Sequence, residues 1–135
     1  PRSSSAASDV YKRQLSDDSY YILSFWATWC VPCINELDAL NEVYDELSKD
    51  LNFKVYAIST DDARTKRRVR PLVNGKSWKF DVLLDENHDL KRALNISGLP
   101  HTIIAKQNEI LHRRVGYAPG EELDLLEKLK EYEVE

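Results

Sequence analysis

Residues 20–33 read YYILSFWATWCVPC, and this stretch decides the fold. Residues 20–25 form a short apolar and aromatic run, which predicts a buried strand. The stretch ends in two cysteines, Cys30 and Cys33, with Pro32 between them. Pro32 suits the first turn of a helix, because its missing N–H would have no intrahelical partner there. The stretch therefore predicts a strand that leads through a cysteine pair into a helix.

The helix that follows Cys30 gives the cysteine pair its chemistry. Its apolar stripe, with spacings of three and four, is Ile34, Leu37, Leu40, Tyr44 and Leu47. A cysteine at a helix N-terminus faces unpaired N–H groups and the positive end of the helix dipole, and both favour the thiolate. Cys33 lies one turn later, close enough for a disulfide. One thiolate can then attack a substrate disulfide, and the second can release the mixed intermediate.

Two other interpretations of the cysteine pair stay open. In the first, the thiols form a permanent structural disulfide or lie idle in the core. In the second, the pair binds zinc, which needs four ligands and would recruit two of His88, His101 and His112. Those histidines lie on scattered elements, so redox chemistry is the favoured interpretation. We expect neither a metal nor a cofactor.

The rest of the chain alternates strands and helices. The pattern predicts strands over residues 53–59, 82–84, 102–105 and 110–115, and helices over residues 62–75, 90–94 and 121–132. Pro71 weakens the first of these helices, because proline interrupts a helix interior. In the last helix we expect Leu123, Leu126 and Leu129 to face inward. The last two strands form a hairpin around residues 107–109, so the order predicts an α/β fold with a mixed central sheet flanked by helices.

Composition limits the number of domains and the class of partner. The chain has 135 residues, of which 42% are hydrophobic and 31% charged, as in one soluble globular domain. Its formal net charge of −4 disfavours nucleic acid as a partner.

Residues 1–14, PRSSSAASDVYKRQ, lack apolar periodicity and the hydrophobic core of a signal peptide. We interpret residues 1–14 as non-native or disordered and residues 15–135 as the domain. If residues 1–14 are non-native, a membrane anchor lost from the N-terminus is compatible with the sequence.

Residues 26–33, WATWCVPC, resemble the active-site signature of the thioredoxin superfamily, especially the TlpA/ResA-like thiol–disulfide oxidoreductases of bacterial cell envelopes. The similarity covers residues 19–132. It implies a thioredoxin fold in which Cys30 is the exposed nucleophile and Cys33 the resolving thiol. It also implies that Trp29 takes part in substrate binding.

A second motif, ISGLP at residues 96–100, matches the segment in which that superfamily carries a cis-proline opposite the cysteines. The resemblance assigns this place, and a part in substrate binding, to Pro100, and X–Pro bonds are the ones that adopt the cis form. The backbone of Leu99 would then pair with an extended substrate segment. The interval between Cys33 and Pro100 is longer than in thioredoxins by about one strand–helix unit, as is usual in the TlpA-like branch.

The sequence departs from thioredoxins at the proton acceptor. Ser24 stands where they carry a buried aspartate. Asp61 follows the second strand, and neighbouring parallel strands bring such groups to one edge of the sheet; it is one candidate acceptor, although aspartate there also suits a helix cap. Glu36, three residues beyond Cys33, is the other candidate. His101 replaces the threonine more usual after the proline, and the sequence is equally compatible with contact to substrate and with a solvated side chain.

The sequence predicts a reductase of protein disulfides. The CVPC sequence lacks the histidine of strongly oxidising CPHC sites, which favours a reductase or an enzyme of intermediate potential. The resemblance implies protein disulfide or dithiol substrates, a membrane or soluble electron donor, and an extracytoplasmic location, with cytochrome c maturation as one setting. We expect a monomer. The alternatives are a cytosolic thioredoxin-like reductase and a non-catalytic binding module whose disulfide is structural.

One basic cluster follows the second strand. It consists of Arg64, Lys66, Arg67, Arg68 and Arg70. Such a run is usually a solvated helix face. The more specific interpretation is a surface for an acidic partner or for lipid headgroups.

Overall fold

The computed structural model describes residues 7, 11, 19–49, 52–107 and 109–134. The strands are β1 (Tyr20–Trp26), β2 (Phe53–Ser59), β3 (Asp81–Leu84), β4 (His101–Lys106) and β5 (Glu109–Val115). The helices are α1 (Val31–Ser48), α2 (Val69–Lys76), α3 (Asp89–Ala93) and α4 (Glu121–Val134), with a 3-10 turn at Lys66–Arg68. The strands form one mixed sheet in the order β3-β2-β1-β4-β5. The predicted α/β fold is therefore confirmed.

The pairing of the strands positions the cysteines. β1 is parallel to β2, and β2 is parallel to β3, so each connection needs a crossover helix. β4 is antiparallel to both β1 and β5, and the predicted hairpin is present. β1 and β2 end together, with Trp26 opposite Ser59. The loops that follow Trp26 and Ser59 therefore lie at the same edge of the sheet.

Two core clusters cover the two faces of the sheet, because side chains alternate along each strand. The first core cluster joins α1, α2 and α4 to the sheet and includes Ile22, Cys33, Leu37, Leu40, Val69, Leu126, Leu129 and Ile104. The second core cluster lies on the side of α3 and includes Leu23, Phe25, Ile58, Leu90, Leu94 and Ile103. The cysteine pair belongs to the first core cluster.

The inward face of α4 differs from the prediction at one residue. Leu126 and Leu129 are buried as expected, but Leu123 is 54% exposed and Leu125 is buried instead. At about 100° per residue, Leu125 lies about 40° from Leu129, whereas Leu123 lies about 120° away. The prediction of an inward Leu123 is therefore wrong, because the three-residue spacing drifts off the buried face.

The predicted helix over residues 62–75 is also wrong in its first part. The carbonyl of Asp62 accepts hydrogen bonds from the N–H groups of Thr65 and Lys66, which makes a turn there. The α-helix begins only at Val69. Pro71 then lies in the first turn, where its missing N–H costs no hydrogen bond.

Several predictions fall on residues that the structure leaves undescribed. Of residues 1–14, Ala7 and Tyr11 are described: Ala7 is buried in the second core cluster and Tyr11 packs against it. The rest of that predicted segment, the turn residue Asn108 and the side chain of Leu47 lie outside the described residues. In the described part of the chain, no helix is long and apolar enough to cross a bilayer.

Candidate active site

Cys30 and Cys33 form a disulfide at the N-terminus of α1. The carbonyl of Cys30 accepts the N–H of Ile34 at 3.2 Å, so Cys30 is the residue that caps the helix. The N–H of Cys33 donates to Sγ of Cys30 at 3.3 Å. The sulfur thus takes the place of an N-cap acceptor. After reduction, the same N–H and the helix dipole favour a thiolate at Cys30.

The two cysteines differ in their surroundings. Cys30 is 7% exposed and Cys33 is fully buried. Cys30 lines a groove of about 580 Å³, together with the exposed side chains of Trp29 and Val31. Leu99 also lines this groove. The structure therefore brings Cys30, Trp29 and Leu99 to one groove, as the resemblance implies.

The Leu99–Pro100 peptide bond is cis, as predicted. Pro100 is buried and precedes the first residue of β4. Its carbonyl accepts the N–H of Gly116 at 2.8 Å, which ties the loop before β4 to the end of β5. Leu99 forms part of the groove wall, whereas the buried Pro100 is not among the residues that line the groove.

Glu36 lies on α1, one turn beyond Cys33, and is 2% exposed. The Ser24 hydroxyl donates to its Oε1 at 3.1 Å, and the Thr102 hydroxyl lies 3.0 Å from both carboxyl oxygens. Burial raises the pKa of Glu36 to about 7, although these two hydrogen bonds act in the opposite direction. Ser24, the residue that replaces the thioredoxin aspartate, is therefore a hydrogen-bond donor to a carboxyl group that another element supplies.

Asp61 is also buried, at 1% exposure, but it is surrounded by donors. Its oxygens accept hydrogen bonds from the N–H of Thr28 at 3.0 Å and from the Thr28 hydroxyl at 2.6 Å. The hydroxyls of Ser59 and Thr65 donate at 2.6 Å and 2.7 Å. Asp61 thereby ties the loop that precedes Cys30 to the segment after β2.

Comparison with known proteins agrees with this geometry. Residues 4–114 match the model of the AhpC/TSA family. The chain belongs to this family. Thiol-disulfide oxidoreductase ResA of Bacillus thuringiensis (strain Al Hakam) is 29% identical over 103 residues, which are 76% of this chain and 58% of ResA. The chain thus spans less than two thirds of the ResA relatives that it matches.

Two further members of the thioredoxin superfamily are similar over more of their length. A thioredoxin of Listeria monocytogenes serovar 1/2a (strain ATCC BAA-679 / EGD-e) is 28% identical over 86% of this chain and 87% of its own. The solution structure of an uncharacterized thioredoxin-like protein from Porphyromonas gingivalis has a TM-score of 0.73 and 38% identity, over 84% of this chain and 75% of that chain. The resemblance to the thioredoxin superfamily and its ResA-like members is confirmed.

One side chain of this AhpC/TSA family member is not where either interpretation puts it. His101 is the first residue of β4 and is 2% exposed, so it is not solvated, and it does not line the groove at Cys30. Its Nε2 lies 3.2 Å from the guanidinium of Arg113, while its buried Nδ1 has no partner among the described residues. Strand alternation explains the error, because it turns His101 to the same face as the buried Ile103.

Three residues of the site do not follow from the sequence patterns above. Thr28 and Thr102 bind the two buried carboxyl groups, and Lys91 lines the groove beside Cys30. Alternation along β4 could have indicated Thr102, because it places this residue two positions before the apolar Ile104 on the side of α1. Nothing in the sequence near Lys91 distinguishes it from an ordinary surface lysine.

Proposed function

We propose that this chain is a thiol–disulfide oxidoreductase that reduces protein disulfides through Cys30 and Cys33. One observation carries the proposal: Cys30 caps α1 at the wall of a groove, with Cys33 bonded to it and buried behind it. This arrangement offers one sulfur to a substrate and keeps the second for an internal attack. A purely structural disulfide does not need a groove at one of its sulfurs.

In the first step the reduced chain attacks a substrate disulfide. The Cys30 thiolate forms a bond to one substrate sulfur, and the substrate S–S bond breaks. The second substrate sulfur leaves as a thiolate and takes a proton from solvent. The groove wall at Leu99 supports this step, because an extended substrate segment can lie beside it within reach of Cys30.

In the second step Cys33 resolves the mixed disulfide. The Cys33 thiol gives its proton to an acceptor, and the thiolate attacks Sγ of Cys30. The substrate sulfur leaves as a thiolate and is protonated, and Cys30 and Cys33 are joined again. Two electrons have passed to the substrate, so each cycle needs a dithiol donor that reduces Cys30 and Cys33.

We assign the role of proton acceptor to Glu36. Residues three apart share a helix face, and Glu36 follows Cys33 by three residues on α1. With a pKa of about 7, its carboxyl group is partly ionised at neutral pH and can both accept and return a proton. Asp61, whose oxygens already accept four hydrogen bonds, is better suited to anchoring the loop.

Trapping experiments test the mechanism. Turnover in an insulin-reduction assay with dithiothreitol is expected for the wild type. Cys30→Ser should abolish it, since Cys30 makes the first bond. Cys33→Ser should accumulate a mixed disulfide, detectable by mass spectrometry. A wild type without turnover would instead support a binding module with a structural disulfide, and a mixed disulfide in Cys30→Ser would reverse the two roles.

The reductase direction is a further part of the proposal. We expect a reduction potential near the thioredoxin value of about −270 mV and well below the value of about −120 mV of a strong oxidant. The absence of a histidine between the cysteines supports this expectation. Equilibration with glutathione buffers measures the potential, and a value near −120 mV would assign the chain to disulfide formation.

We propose a location outside the cytoplasm, as a monomer that receives electrons from a membrane or soluble donor. The similarity to ResA and to the TlpA/ResA-like branch supports this location, with envelope proteins, including those of cytochrome c maturation, as clients. The match to nearly the whole of a thioredoxin favours the alternative of a soluble reductase kept reduced by a thioredoxin reductase. Fractionation of cells that express the protein from its native gene distinguishes the two locations.

A further inference from the structure

We propose that Lys91 binds a carboxylate of the substrate, so that preferred clients carry an acidic residue beside the attacked cysteine. This inference rests on the proposed function and adds a substrate class to it. It concerns the groove at Cys30, not the chemistry of the cysteine pair.

Lys91 is placed to meet a bound substrate. It lies in α3, is half-buried, and lines the same groove as Cys30, Trp29 and Leu99. Among the described residues of the groove wall, Lys91 alone carries a charge, since the others are apolar, aromatic, glycine, cysteine or serine. Lys91 therefore gives the groove wall a positive charge close to the reactive sulfur.

The carboxylates near Lys91 are occupied by other groups. Asp85 accepts the backbone N–H groups of Leu90 and Lys91 at 3.0 and 2.8 Å. Glu86 forms an ion pair with Lys66 at 2.8 Å. Asp89 forms one with Arg92 at 2.8 Å. Within the described parts of the chain, the Lys91 ammonium group therefore has no ion-pair partner.

The charge of Lys91 sets the electrostatic preference of the groove. A cationic group of a client would be repelled from Lys91, and a carboxylate would be attracted. Because Cys30 lines the same groove, a carboxylate near the attacked disulfide lies within the reach of Lys91.

Matched peptides test the proposal. Each peptide carries one cysteine in a mixed disulfide with a chromogenic thiol, and the residue beside the cysteine is Asp, Asn or Lys. Partly exposed ion pairs contribute about 0.2–1 kcal/mol, so we expect the reduced wild type to prefer the Asp over the Asn peptide by roughly threefold in kcat/KM. The preference should shrink at 1 M salt, where the Debye length is about 3 Å.

Charge variants locate the preference. Lys91→Gln should bring the Asp-to-Asn ratio of rates close to one, and Lys91→Glu should invert it in favour of the Lys peptide. A ratio does not depend on the active fraction of a variant. Lys130→Glu, which changes the net charge equally on the distant α4, should keep the wild-type ratio. An unchanged ratio in Lys91→Gln, or its loss in Arg67→Gln instead, would overturn the proposal.

Two further outcomes distinguish a failure of the Lys91 proposal from a failure of the proposed function. If the reduced wild type reduces none of the peptides, the proposed function fails. If it reduces Asp and Asn peptides at equal rates, the proposed function stands and Lys91 has no part in recognition. Glutathione disulfide, which also carries carboxylates, is tested in parallel. If its rate of reduction depends on Lys91 while the peptides show no preference, Lys91 recognises a small disulfide. That result would overturn the proposal of an acidic protein client.

Discussion

Glu36 and Asp61 are two buried carboxyl groups at the same end of the sheet, and their surroundings differ. Glu36 has two hydroxyl groups as partners, from Ser24 and Thr102. Asp61 accepts four hydrogen bonds, one of them from a backbone N–H. The number of donors determines how well a buried carboxylate is stabilised. The comparison indicates that burial alone does not identify a proton acceptor, and that a fully satisfied carboxylate is better suited to holding structure together.

The largest expected effect is the loss of stability on removing the Asp61 carboxylate. Asp61→Ala leaves the Thr28 N–H and three buried or half-buried hydroxyls without their acceptor, and we expect about 4 kcal/mol less free energy of unfolding. Urea denaturation at pH 7 measures it. Asp62→Ala removes a neighbouring solvent-facing carboxylate and should have a much smaller effect. If Asp61→Ala does not fold, Thr65→Val, which removes one donor, should cost about 1 kcal/mol.

The next effect is the pH dependence of the free energy of unfolding that Glu36 causes. The native chain keeps the Glu36 proton up to about pH 7, whereas an unfolded glutamate loses it near pH 4.3. The native state therefore binds more protons between these values, and wild-type stability falls as pH rises through this window. At about 1.4 kcal/mol per pKa unit, Glu36→Gln should gain roughly 3 kcal/mol relative to wild type between pH 4.5 and 8. Parallel stability curves for the two proteins would contradict the prediction.

The third effect is kinetic and compares the two carboxyl groups directly. General base catalysis contributes about 100-fold or more, so Glu36→Gln should slow the resolution of the mixed disulfide by roughly 100-fold at pH 7, or about 2.7 kcal/mol. Its pH profile should lose the inflection near 7. Asp61→Asn should keep that inflection in the fraction that folds. Quenched-flow trapping of the mixed disulfide gives both profiles, and a lost inflection only in Asp61→Asn would move the role to Asp61.

The smallest effect comes from a single donor. Ser24 lowers the pKa of Glu36 by hydrogen bonding to it, so Ser24→Ala should raise that pKa. A hydrogen bond to a carboxyl group of this kind corresponds to about 0.5–1.5 kcal/mol, which moves the inflection upward by about half a pH unit. Ser59→Ala, which removes a donor from Asp61 instead, should leave the inflection in place. Equal shifts in both variants would remove the distinction between the two carboxyl groups.

Local sequence patterns predict this fold best where a pattern has one physical interpretation. Residues 20–33 predict the strand, the helix and the cysteine pair because a proline in a first turn and an apolar stripe require little tertiary information. The cis-proline at Pro100 came from a resemblance and is confirmed. The error at Leu123 arose because spacings of three and four define a face only to within one or two positions.

The partners of the site could not be predicted in the same way. Glu36 and Thr102 are far apart in the chain, and their contact depends on the pairing of β1 with β4, in which Ser24 lies opposite Thr102. Asp61 and Thr28 meet because β1 and β2 end together. A sequence pattern gives the residues of each strand but not the register between strands. It therefore indicates candidate carboxyl groups, but it does not show how many hydrogen-bond donors surround each of them.

The two edges of the sheet carry a consequence for solubility. In the described residues the sheet ends at β3, which has four residues, and at β5, which has seven. A long free edge invites aggregation by strand addition, and charged side chains along it discourage such pairing. β5 carries Arg113 and Arg114 in its second half and starts at Glu109. The charges on β5, the longer of the two edges, therefore discourage edge-to-edge pairing between two copies of this chain.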